Sequence, residues 1–139
     1  MGGALWQMNA GAAPEKIWQK EDALDCHYAT PVFYDGFLYG FHGRQEQGQE
    51  LRCIDPKDGA VKWSQEMAPG ALLVADGKLI IVTEQGELIL AAAEPGAYRE
   101  LARGQILGSE ARPPAALSGG KLYARDKRRL VCIELKSEN

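Results

Sequence analysis

Only a few residues in this chain are of types that support chemistry. Cys26-His27 and the distant His42 supply soft and imidazole ligands of the kind zinc takes. A closed zinc site needs four ligands, and no fourth stands at useful spacing. Ser118-Gly119-Gly120-Lys121 has the composition of a phosphate loop, but it lacks the G-x-x-x-x-G-K-[ST] pattern and no helix follows, so it reads as a turn. Serine, histidine and aspartate are all present, yet no G-x-S-x-G nucleophile elbow occurs. Arg125, Lys127, Arg128 and Arg129 form a basic cluster around Asp126, which reads as a solvated hairpin tip. No catalytic constellation emerges, and the chain is expected not to be an enzyme.

The elements that would position any site are strands. The stretch Gly48 to Trp63, GQELRCIDPKDGAVKW, holds a short apolar run at Leu51, Cys53 and Ile54, then the turn formers Asp55 to Gly59. Val61 and Trp63 follow on one face of a second strand. Pro31 to Phe41 reads as another hairpin, closed by Asp35-Gly36, a strong signal between apolar runs. Asp76-Gly77 and Gly119-Gly120 close similar hairpins, and the last strand of the second copy is expected near Tyr98 to Leu101.

These turns and Trp18 and Trp63 recur at intervals of roughly 41 to 45 residues. That spacing, with four strands per period, predicts an all-β chain of β-propeller blades: four-stranded antiparallel sheets, about three to the chain. The copies fall at about 1–21 (partial), 29–66, 70–103 and 112–136, the last lacking its fourth strand. A sandwich of about a dozen strands is the structural alternative.

Composition agrees. The 139 residues are 45% hydrophobic and 25% charged, enough to bury a core, and 16 Gly with 7 Pro favour many turns. A net charge of −3 gives no field to attract nucleic acid, and no apolar run reaches the ~18 residues of a spanning helix, so neither nucleic acid nor membrane insertion is expected. The three cysteines Cys26, Cys53 and Cys132 read as small hydrophobes, not a disulfide framework. MGGALWQMNAGAAPEK has neither the basic leader nor the apolar core of a signal peptide. Met-Gly-Gly directly before a strand reads as a trimmed start, so a native export signal need not be in the sequence.

The segment Leu51 to Trp63 resembles the repeat of quinoprotein-type, PQQ-like propellers, whose blades run strand, Asp, short turn, Gly and a Trp on the outermost strand; here these are Asp55, Gly59 and Trp63. Pro31 to Tyr39 is similar to that family's inner hairpin. The resemblance implies that Trp63 and Trp18 each dock against a neighbouring blade. It also implies an extracytoplasmic setting, periplasm or cell surface. Quinoprotein dehydrogenases of the family hold their quinone with adjacent cysteines and with calcium ligands. This chain has neither an adjacent Cys pair nor a calcium spacing, so no cofactor is expected.

Blade geometry gathers the long loops 21–29, 42–49 and 104–114 on one face. Asp25, His27, Tyr28, His42, Arg44 and Arg112 are therefore the candidate binding residues. The expected function is a non-catalytic propeller module binding a partner protein or ligand through those loops. Part of a quinoprotein-like enzyme is the alternative. Strand counting further predicts a homodimer forming a six-bladed ring: residues 16–21 of a second copy supply the strand missing after 130–135, 4–9 are left over as a duplicate, and Trp18 lies at the seam.

Overall fold

The computed structural model describes residues 2–136. Among them are thirteen strands in four antiparallel sheets, with one short 3-10 turn at Gln45–Gln47. The chain divides into two compact units. One is Met1–Met67 with Glu94–Tyr98; the other is Ala68–Ala93 with Arg99–Asn139.

The first unit contains a two-stranded sheet, β1 (Gly3–Gln7) with β2 (Glu15–Lys20), and a four-stranded meander. The meander is β3 (Val32–Tyr34), β4 (Phe37–His42), β5 (Glu50–Asp55) and β6 (Ala60–Glu66), in chain order across the sheet. Asp35 and Gly36 both take positive φ, 46° and 87°, the backbone of a two-residue hairpin turn whose twist matches the strands. Tyr39, Phe41, Leu51, Cys53 and Ile54 are fully buried, and Trp63 nearly so. Ala23 and Leu24 are buried with them, so the connector between β2 and β3 is not the wholly polar loop its sequence implies.

The second unit holds β7 (Gly70–Ala75), β8 (Lys78–Thr83), β9 (Glu87–Ala92) and β10 (Glu100–Gln105) in one sheet. β11 (Ala116–Ser118), β12 (Lys121–Arg125) and β13 (Leu130–Glu134) form another. Ile80, Val82, Leu88, Leu107, Ala111, Ala115, Leu122 and Ala124 make its core. Asp76-Gly77 and Gly119-Gly120 repeat the paired positive φ of Asp35-Gly36. All the sheets are meanders of at most four strands, the blade pattern, without the crossed-over order of a sandwich.

β10 departs from the sequence reading. It begins at Glu100, and Tyr98 lies outside it in the segment assigned to the first unit, where its ring meets Trp63 edge-on at 5.7 Å. The strand itself, ELARGQ, is exposed throughout. Arg103, bonded to Glu100 and Glu87, anchors it in place of apolar side chains.

The register carries one regularity that sequence does not show. In β5–β6, Cys53 faces Trp63 but Ile54 faces Val61, leaving Lys62 as an extra residue. In β1–β2, Leu5 faces Trp18 and Trp6 faces Lys16, leaving Ile17. In β9–β10, Leu90 faces Ala102 and Ala91 faces Glu100, leaving Leu101. The same bulge thus sits at the same step in three sheets. Ala102, and neither Tyr98 nor Leu101, occupies the tryptophan position of the second copy.

Candidate functional site

The repeat residues come first because they fix the scaffold. Asp55 caps its turn by accepting the Lys57 amide on Oδ1 at 2.9 Å, and its carbonyl accepts the Gly59 amide at 2.8 Å. Gly59 has φ of 72°, and an added Cβ would stand 3.1 Å from the Trp18 ring, so the position requires glycine for conformation and for space. Trp18 lies over this turn and donates Nε1–H to the Pro56 carbonyl at 2.7 Å. Trp63 makes the equivalent bond to the Glu94 carbonyl at 2.8 Å, with the Tyr39 ring tilted against it at 5.9 Å.

In the first unit, the connector 21–31 and the β4–β5 loop are joined by a small polar lock. His42 Nδ1 accepts the Asp25 amide at 3.0 Å, and its Nε2 faces Asp22 at 3.4 Å. The Gly43 amide donates to the Asp25 carbonyl at 3.0 Å, and Cys26 and Gly43 form an isolated parallel bridge. Arg52 reaches up from β5, donating to the carbonyls of Asp22 at 2.7 Å and Ala23 at 3.1 Å, and is clamped by Glu50. Burial, then the Arg52 guanidinium, hold the His42 imidazole below its ordinary pKa and outweigh Asp22. A neutral ring is what an acceptor Nδ1 requires. His42 thus has Nδ1 on the Asp25 amide and Nε2 towards Asp22. Burial and then Asp25 push the Cys26 thiol up to about 11.

Beside the lock, His27 and Tyr28 stack at 3.9 Å. His27 Nδ1 is buried without a hydrogen-bond partner among the described residues, and Tyr28 is 76% exposed. Arg44 is exposed, its carbonyl accepting the Gln47 amide at 3.0 Å. The structure therefore brings Asp25 and His42 together as parts of a brace and leaves Tyr28 and Arg44 presented to solvent. Arg112 belongs to the second unit, where it is 3.6 Å from Glu84.

The second unit has its own brace, at the tip read as solvated. The basic side chains there are exposed, but Asp126 is buried. Its carboxylate accepts the amides of Gly108 at 2.8 Å, Arg128 at 2.7 Å and Arg129 at 2.8 Å. These donors, chiefly the amide of Arg128 and then that of Gly108, hold its pKa down to about 2. Lys127 pairs with Glu110 across the same corner at 2.5 Å. An aspartate followed by two free amides is a local signature that sequence offers. The bond to Gly108, eighteen positions away, has none.

No protein-family model matches the chain, and no curated protein does. Among solved structures it is similar to BamB from Moraxella catarrhalis, with a TM-score of 0.69 at 15% identity over 86% of this chain and 37% of that one. Two computationally designed proteins follow at lower scores: Ika8 (TM-score 0.43, 10% identity, 88% of this chain and 50% of that one) and Ika4 (0.39, 11%, 81% and 96%). The chain spans a little over a third of the BamB chain. At that identity the likeness is one of fold, and it agrees with the blade pattern of the sheets.

Proposed function

We propose that the chain is a non-catalytic, propeller-type interaction module, and that a partner protein binds at the connector and β4–β5 loop of the first unit. The observation that carries this reading is Tyr28. It is a largely exposed aromatic, stacked on His27, in a connector held by the Asp25–His42 brace. Aromatic side chains on a stiff support supply contact area at low ordering cost, and arginine is the other residue enriched where proteins meet. Arg44 stands in the braced loop. The fold shared with BamB and the repeat resemblance support a propeller-type interaction module. They also support an extracytoplasmic setting, which cell fractionation of the native host would check.

A photo-crosslinking residue at position 28, expressed in the native host, should give a discrete protein adduct that Arg44→Glu abolishes. The same residue at Val61, also exposed, should not. Equal adducts from both positions would remove the site. Reduction of a dye by the protein supplied with the quinone, calcium and an alcohol or sugar would remove the non-catalytic reading.

A further inference from the structure

Tyr39 and Cys53 face one another across β4 and β5, both fully buried. Trp63 of β6 covers them: it faces Cys53 in register and its ring meets Tyr39 at a tilt, 5.9 Å between centroids. The second unit repeats the pair. Tyr123 and Cys132 face one another across β12 and β13. Here the pair is exposed, Tyr123 at 39% and Leu130 beside it at 71%. Among the described residues no strand lies along the outer edge of β13. Two chemically identical cross-strand pairs thus differ in one thing, a strand bringing a tryptophan.

β2 is a strand of that kind. Its Trp18 has the register, the bulge and the Nε1-to-carbonyl bond of Trp63. What faces Trp18 is Leu5 of β1, a strand with no fully buried residue; Trp6 is 51% exposed and Met8 just beyond it 79%. Leu5 holds the place that Cys53 holds before Trp63. We propose that β13 of a second copy takes the place of β1, pairing antiparallel with β2 so that Cys132 faces Trp18.

The charges fit that register. Val131 then faces Gln19, Leu130 faces Lys20, and just past the strand ends Arg129 meets Glu21 and Arg128 meets Asp22. At the other end the bulge sets Glu134 opposite Glu15. β5–β6 tolerates a like pair of the same kind, Glu50 opposite Glu66. The exchange is reciprocal, so a symmetric dimer makes the pairing twice.

Sedimentation equilibrium of the full chain at micromolar concentration should give a dimer. A chain carrying Gln19→Cys, mixed with one carrying Val131→Cys and oxidised, should form a disulfide between the two new cysteines, identified by peptide mass. Leu130→Cys, one residue out of register, should link at least tenfold less. Arg129→Glu should weaken the dimer about tenfold, and Glu21→Arg in the same chain should restore it. Both side chains are exposed, but Arg129 Nε stands 4.0 Å from the Asp126 carboxylate of its own chain, so restoration by Glu21→Arg is the deciding arm. A monomer overturns the proposal. So does the absence of a 19-to-131 link, a link of equal yield at 130, a charge reversal without effect, or a loss that Glu21→Arg does not restore.

Discussion

Trp63 tests whether the repeat's tryptophan acts through its ring, its N–H or both. Trp63→Phe keeps an aromatic ring over Tyr39 and removes the donor to the Glu94 carbonyl at 2.8 Å. The lost bond, with a carbonyl left short of its partner, costs about 1–2 kcal/mol. Trp63→Ala also removes a side chain only 8% exposed and two aromatic contacts, at 5.9 Å to Tyr39 and 5.7 Å to Tyr98. Large-to-small changes at such sites cost about 3–5 kcal/mol, part of it aromatic pairing at about 0.5–1.5 kcal/mol per pair. Urea unfolding followed by far-ultraviolet circular dichroism resolves these values without relying on the fluorescence the substitutions alter. The expected order is wild type, then Phe, then Ala, with about 1–4 kcal/mol between the variants. If Phe destabilises as much as Ala, the N–H bond and not the packing dominates. If Phe is silent, the Glu94 bond does not stabilise, and the reasoning fails on that step.

Acidification should loosen the first brace. Because the folded chain keeps His42 below its ordinary value of 6.5, the unfolded chain takes the proton first, and the contribution of His42 is complete above 6.5 and declines as pH falls below it. Amide exchange at Asp25, corrected for intrinsic rates, should therefore be faster near pH 5 than near pH 7; equal protection would refute the assignment. For Asp126, whose pKa falls from 3.8 to about 2, the stabilisation is present above 3.8 and is lost as pH drops towards 2. Asp126→Asn should lose that acid-dependent part of the urea midpoint between about pH 4 and 2, and parallel profiles for the two proteins would count against it. Gly36 and Gly86 share nearly the same φ, 87° and 85°, but an added Cβ meets nothing within 4 Å at Gly36 and the Leu107 carbonyl at 2.3 Å at Gly86. Gly36→Ala should cost about 1 kcal/mol and Gly86→Ala about 3 kcal/mol or more, by the same denaturation assay; equal costs would show that conformation alone decides.

Much of the architecture was legible because local chemistry dictates it. Asp35-Gly36, Asp76-Gly77 and Gly119-Gly120 can hardly be anything but tight turns, and three such turns at one spacing fix the repeat. β10 was misplaced because its strand carries no apolar signal; backbone pairing and Arg103 hold it, while Tyr98, the residue that looked like a strand anchor, packs against Trp63. The candidate loop residues were named from sequence, but their roles were not. Asp25 and His42 serve each other through a main-chain amide, and Arg52 and Asp126 work by reaching main-chain atoms far along the chain. Bonds from side chain to distant backbone leave no pattern in residue types. The bulge opposite residues 5, 53 and 90 is equally silent, since Ile17, Lys62 and Leu101 share no chemistry.

That bulge has a consequence for how the protein behaves when crowded. A strand with a regular, flat edge is a template on which any other extended chain can grow, and an extra residue twists the edge and interrupts the row of open amides and carbonyls. β6 and β10, each the last strand of its sheet, carry the interruption, and β10 adds charge along an exposed length. β13 has an even ladder with β12 and an open outer side bearing Leu130. Protection against indiscriminate growth is thus built into β2, β6 and β10, and among the described residues β13 lacks it. In a concentrated solution of chains not yet paired through it, the edge of β13 is where unwanted fibre-like association would begin.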